Sequence, residues 1–62
     1  MKKWKIVWTI ITGTIFSHEF DTIEEMERWW AERAEGLEPI TESLAVWELW
    51  NGEYKLRHNK RA

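Results

Sequence analysis

Polar and apolar residues alternate from residue 3 to residue 11. Trp4, Ile6, Trp8 and Ile10 fall on one side; Lys3, Lys5, Val7, Thr9 and Ile11 fall on the other. A period of two in β-branched and aromatic residues predicts a strand. Thr12-Gly13-Thr14 reads as a turn, because glycine accepts positive φ, and a second run follows from Ile15 to Phe20. Register selects the loop. A two-residue loop over Thr12-Gly13 sets Ile10 against Ile15 and Trp8 against Ser17, mixing apolar with polar. A three-residue loop sets Ile10 against Phe16 and Ile6 against Phe20, joining the Trp/Ile face to the Phe face. A slip of one residue turns every side chain to the other face, so the three-residue loop is expected.

The period then changes. Ile23, Met26, Trp30 and Ala34 are spaced by three, four and four and form one helical stripe. Asp21 or Thr22 can cap it, with Glu24 or Glu25 three residues on, a capping-box arrangement in either case. Glu24, Arg28 and Glu32 form a charge ladder on the wet side. Gly36 fits a left-handed stop with Leu37 folding back, and Pro39 disfavours helix at Glu38.

Residues 43–59 predict a second hairpin around Asn51-Gly52, the strongest two-residue turn signal in the chain. That turn pairs Trp50 with Glu53, Leu49 with Tyr54, Glu48 with Lys55 and Trp47 with Leu56. One face then carries Ala45, Trp47, Leu49, Tyr54, Leu56 and His58. The other carries Leu44, Val46, Glu48, Trp50, Glu53, Lys55 and Arg57. The opposite charges of Glu48 and Lys55 favour this register.

Hairpin, helix, hairpin predicts an α+β domain spanning 1–62: ββαββ, a four-stranded sheet with one helix packed on one face. If the first and last strands pair in the centre, they run parallel, which is the β-grasp layout. In order and length the chain resembles the immunoglobulin-binding domains of protein G and protein L. The resemblance is architectural. No binding motif of those domains is present, and it implies no residue and no activity.

Composition says how so short a chain could hold together. It has six tryptophans and no cysteine, so disulfides and thiolate metal sites are excluded. Each buried Trp removes ~150–250 Å² from water, worth roughly 4–6 kcal/mol, and a few of them can replace the missing staples. The lack of cysteine fits a reducing cytoplasm, and no apolar run approaches a membrane span. Charge is lopsided: residues 19–42 hold nine acids and two bases, whereas the rest of the chain holds seven bases and two acids.

No pattern predicts catalysis. Ser17-His18-Glu19 has the residue types of a hydrolytic triad, but on a strand His18 faces away from the other two. No cluster has metal-ligand spacing, and the three glycines lie far apart, so there is no phosphate loop. No cofactor and no small-molecule substrate is expected.

The surplus of tryptophan points to binding. With the second hairpin in the orientation that turns Val46 and Trp50 away from the helix, they share an open sheet face with Val7 and Ile11. Trp29, about 100° from Trp30 around the helix, is a second aromatic anchor beside Glu25 and Arg33. The expectation is a protein-interaction module of inhibitor, adaptor or assembly type, joined to another protein or to itself as a homodimer through Trp50, Val46, Val7, Ile11 and Trp29. A different reading uses Lys3, Lys5, Lys55 and Arg57 on phosphates with Trp50 stacked on a base of single-stranded nucleic acid, against a sequence pI of about 5.6. A third is a stable scaffold, natural or designed, without activity of its own.

Overall fold

The computed structural model describes residues 2–61. The elements in chain order are β1 (Trp4–Ile10), β2 (Ile15–Phe20), α1 (Ile23–Leu37), β3 (Thr41–Trp50) and β4 (Glu53–Arg61). The four strands form one sheet in the order β2-β1-β3-β4 with every neighbouring pair antiparallel. The helix lies on one side, where Met26 meets Ile6, Trp8, Phe20 and Val46. The α+β class and the ββαββ order are as the pattern predicts.

The centre of the sheet differs from the β-grasp layout. β1 is flanked by β2 and β3, so the first strand pairs with the third, antiparallel, and not with the last. Polarity accounts for this. β3 is apolar on both sides, with Leu44 and Val46 on one and Ala45, Trp47 and Leu49 on the other. β4 carries Lys55, Arg57, His58 and Lys60, whose charges favour the wet edge.

The first hairpin has a three-residue loop, Ile11-Thr12-Gly13. Gly13 N–H donates to the Ile10 carbonyl at 2.8 Å, Ile10 N–H donates to the Thr14 carbonyl at 3.0 Å, and Gly13 has φ +91°. This is a type I turn closed by a left-handed glycine. Because the glycine must take the third loop position, the loop starts at Ile11, one residue before the expected Thr12. Trp8 therefore faces Phe16, and Trp4 faces Phe20. The register moves by two residues against expectation, and a shift of two leaves the faces unchanged.

In the second hairpin Asn51 (φ 50°) and Gly52 (φ 82°) make the two-residue turn. The pairs Trp50–Glu53, Leu49–Tyr54, Glu48–Lys55 and Trp47–Leu56 form as expected. Beyond them Val46 faces His58, leaving Arg57 as the extra residue of a bulge.

Thr22 is the helix cap, its hydroxyl accepting the Glu25 N–H at 3.2 Å. Gly36 is not the stop. It stays helical, α1 ends at Leu37, and a single 3-10 turn over Glu38–Ile40 follows with Pro39 in its first turn. Proline lacks an N–H but suits the start of a helical segment. Glu38 accordingly keeps φ −57° and ψ −43°, against the expectation that it would leave helical space. The Thr41 hydroxyl then takes up the Leu37 carbonyl at 2.7 Å.

Antiparallel pairing with β1 sets the faces of β3. Ile6 lies opposite Val46 and Trp8 opposite Leu44, so Leu44 and Val46 turn toward the helix while Ala45, Trp47 and Leu49 turn away. This reverses the expected orientation of the second hairpin. Val46 is a core residue, 7% exposed, and not part of an open face. Trp8 is the one buried tryptophan among the described residues. Its ring has Phe16 at 5.6 Å, Trp29 at 5.3 Å and Trp30 at 6.0 Å. Its indole Nε1 has no hydrogen-bond partner, a loss of about 1–3 kcal/mol set against the burial of the ring.

Candidate protein-interaction surface

Among the described residues no second layer covers the sheet face opposite α1. Register assembles it. Val7 lies across from Ala45, Lys5 across from Trp47, Trp47 across from Leu56, and Leu49 across from Tyr54. All of these alternate with the helix-facing Ile6, Trp8, Leu44 and Val46. Val7, Trp47 and Leu49 are half-buried, and Leu56 is 46% exposed. An apolar stripe thus crosses β1, β3 and β4.

One end of the stripe is held by a polar clasp. The Tyr54 hydroxyl, from the β4 edge, donates to Glu19 Oε1 at 2.6 Å, with the Lys2 carbonyl at 2.8 Å as its other acceptor. Lys2 N–H also reaches Glu19 Oε1, at 3.3 Å. Lys5 Nζ stands 5.4 Å from the centre of the Tyr54 ring. The Tyr54 bond holds the Glu19 carboxyl below its usual range, and the same bond pushes the Tyr54 phenol up to about 12. Toward the other end Thr9 faces Ser43, Ser17 lies beside Val7, and the exposed Ile15 flanks Thr9 on β2. An apolar stripe with a polar rim is the usual make-up of a protein-binding patch.

Of the residues expected to bind a partner, Val7 lies on this face and Val46 does not. Trp50 is 49% exposed, but it alternates with Leu49 and so has the parity of Glu48, on the helix side. Lys3 Nζ sits 5.4 Å from its ring centre. Ile11 is 68% exposed at the tip of the first hairpin, where its N–H donates to the Ile40 carbonyl at 2.8 Å. Trp29 covers the edge of the sheet over β2. His18 stacks on it at 5.1 Å, Phe20 meets it at 5.6 Å, and the Arg33 guanidinium lies 4.6 Å from its ring centre. The five residues do not form one patch.

Sequence reasoning misses Trp47, Leu49, Leu56 and Tyr54 as surface residues. It groups them correctly on one face but assigns that face to the helix. A signal is present. The alternative face carries Glu48, Lys55 and Arg57, and the Arg57–Glu48 and Lys55–Glu53 ion pairs let it turn toward the half of the helix side that α1 leaves open.

Three of the four cations proposed for phosphate contact, Lys3, Lys55 and Arg57, are tied up in ion pairs. Glu48 binds Lys3 Nζ at 3.2 Å and Arg57 Nε at 2.9 Å, and Lys55 Nζ binds Glu53 at 3.2 Å. Burial raises the Glu48 pKa, but the bonds from Lys3 and Arg57 outweigh it, and the carboxyl sits below its usual range. Lys5 lies on the opposite face, so these four do not make one stripe.

Ser17, His18 and Glu19 do not converge. His18 stacks on Trp29 on the helix side, and Glu19 binds Tyr54 on the other. Among the described residues no group of His, Asp and Glu side chains comes together to hold a metal ion, and no helix is long and apolar enough to cross a membrane.

No protein-family model, no curated protein and no solved structure matches the chain.

Proposed function

We propose that the chain is a non-enzymatic protein-interaction module whose partner rests on the sheet face opposite α1, centred on Trp47, Leu49, Leu56 and Val7. The observation that carries this reading is the apolar stripe itself, continuous over three strands, bordered by polar groups and covered by nothing in the fold. Exposed apolar area of this kind costs solubility and is retained where it binds. A tryptophan at the middle of such a patch is the usual energetic centre of an interface. The pairing of Lys3 and Arg57 with Glu48, and of Lys55 with Glu53, favours a protein partner over single-stranded nucleic acid, because cations already neutralised release fewer counterions.

The test compares proteins captured by the immobilised wild-type chain with those captured by Leu56→Glu and Trp47→Ser, each checked for native circular dichroism. Proteins retained by wild type and by a helix-surface control, Glu32→Gln, but lost from both face variants support the reading. Identical capture by all four chains overturns it. Capture of nothing by any of them would instead favour a scaffold without a partner.

A further inference from the structure

The sheet has two edges, and they are built differently. β4 carries Lys55, Arg57 and Lys60 and is bent by the bulge at Arg57. Charge and bulging are the two common ways of refusing an added strand. β2 has neither. Its sequence, Ile-Phe-Ser-His-Glu-Phe, contains no Lys, Arg or Pro, and it pairs with β1 without a register shift. Its carboxylate, Glu19, is already bound by Tyr54. Two of its apolar side chains lie open, Ile15 at 67% and Phe16 at 43% exposure.

The backbone of β2 shows which groups are free. The bond from Ile10 N–H to the Thr14 carbonyl marks Ile10–Thr14 as a hydrogen-bonded pair. Such pairs alternate along an antiparallel ladder, so Phe16, His18 and Phe20 bond to β1 through their partners Trp8, Ile6 and Trp4. Ile15, Ser17 and Glu19 therefore direct N–H and C=O away from the sheet.

We propose that β2 is a pairing edge through which two copies of this chain join antiparallel, with Ser17 on the two-fold axis, to make one continuous sheet. In that register Ser17 faces Ser17 of the second copy, and Ile15 faces Glu19 in both directions. Every outward N–H and C=O on the two strands finds a partner. Like charges do not meet, because the one charged residue of β2 lies opposite an isoleucine. On the helix side Phe16 comes to lie against His18 of the other copy, which covers the exposed Phe16 ring beside the His18–Trp29 stack. The arrangement uses the same edge twice, so it closes at two copies. Pairing β2 with β4 would leave free edges and grow without limit. The open face with Trp47 and Leu56 stays outside the pairing, and the dimer would present that face twice.

Light scattering of the full chain over a concentration series is the test. The expected result is a rise from 7.6 kDa to twice that mass. Ser17→Pro removes an outward N–H on the axis and no bond to β1, and proline is tolerated at such edge positions. It should hold the chain at the monomer mass at every concentration, with circular dichroism and melting retained. Hydrogen exchange on the wild-type chain gives the same answer without a variant: the amides of Ile15, Ser17 and Glu19 should slow as concentration rises. A wild-type chain that stays monomeric with these three amides exchanging fast overturns the proposal, and so does a dimer that Ser17→Pro leaves intact. If Leu56→Glu breaks the dimer and Ser17→Pro does not, self-association belongs to the open face. Loss of partner capture in Leu56→Glu with the dimer preserved separates the two surfaces.

Discussion

On the helix side of the sheet Ile6, Trp8, Phe20 and Val46 are each less than a tenth exposed, with Met26 closing over them. On the other side Val7, Trp47 and Leu49 are only partly buried, and Leu56 is exposed. The residue types on the two faces are nearly interchangeable. What separates them is the presence of a second layer, which α1 supplies on one side of the sheet. The covered face is held by packing of aromatic rings. The open face is held at its end by a polar clasp, Tyr54 to Glu19 and to the Lys2 carbonyl, and by strand pairing beneath it. A core residue therefore reports the stability of the fold, whereas an apolar residue on the open face reports what the fold can receive.

The two faces should respond differently to substitution, and the largest effect belongs to the covered face. Trp8→Ala should destabilise by about 3–5 kcal/mol, since it leaves a large cavity among rings that cannot collapse. For so small a domain that is most of the stability, and denaturant unfolding would show a chain close to unfolded in water. Leu56→Ala should shift the same curve by less than about 1 kcal/mol, as surface substitutions do, while weakening the capture of a partner. If Leu56→Ala costs as much as Trp8→Ala, the open face is covered in solution, and the two faces are not different in kind.

The helix that makes the difference can be adjusted from both ends. Thr22→Ala removes the acceptor of the Glu25 N–H and should cost ~1 kcal/mol. Gly36→Ala should stabilise by ~0.5–1 kcal/mol, the penalty that glycine carries inside a helix. Gly36 has right-handed helical backbone, and an added Cβ would meet open space. Thermal melts of the two variants should move in opposite directions. A destabilised Gly36→Ala would restore the left-handed stop that the sequence suggests.

That glycine marks the border between legible and illegible sequence. Signals that act over a few residues are legible: the Asn51-Gly52 turn and its register, the cap at Thr22, the helical stripe and the three-residue length of the first loop. Gly36 misleads because a helix stop depends on the residues beyond it, and Pro39 at the start of a new turn fits continued helix as well as it fits a break. The faces of β3 fail for a longer-range reason. Leu44 and Val46 make one apolar side, Ala45, Trp47 and Leu49 make another, and a pattern apolar on both sides carries no orientation. Pairing with β1 makes the choice by setting Ile6 against Val46, a contact between residues far apart in the chain. The candidate surface moves with that choice, from Val46 and Trp50 to Trp47 and Leu56.

The smallest effect is spectroscopic and tests the clasp at the end of the open face. Tyr54 is the chain's single tyrosine, so phenolate absorbance on titration reports it alone. Its midpoint should lie near 12, raised from 10.0 because the neutral hydroxyl donates to the Glu19 carboxylate. A raised folded pKa means that this bond's contribution is complete below pH 10.0 and is lost as pH rises through about 12. Glu19 behaves in the opposite sense. Its depressed pKa makes its contribution complete above the ordinary value of 4.5 and lost as pH falls through the lower folded value. In Glu19→Gln the tyrosine midpoint should fall toward 10.0, while the aromatic core on the other side of the sheet keeps its near-ultraviolet signal. A wild-type midpoint already near 10.0 would mean that Tyr54 does not reach across the sheet to Glu19. The open face would then lack its fixed border, and its partner would have to order that border on binding.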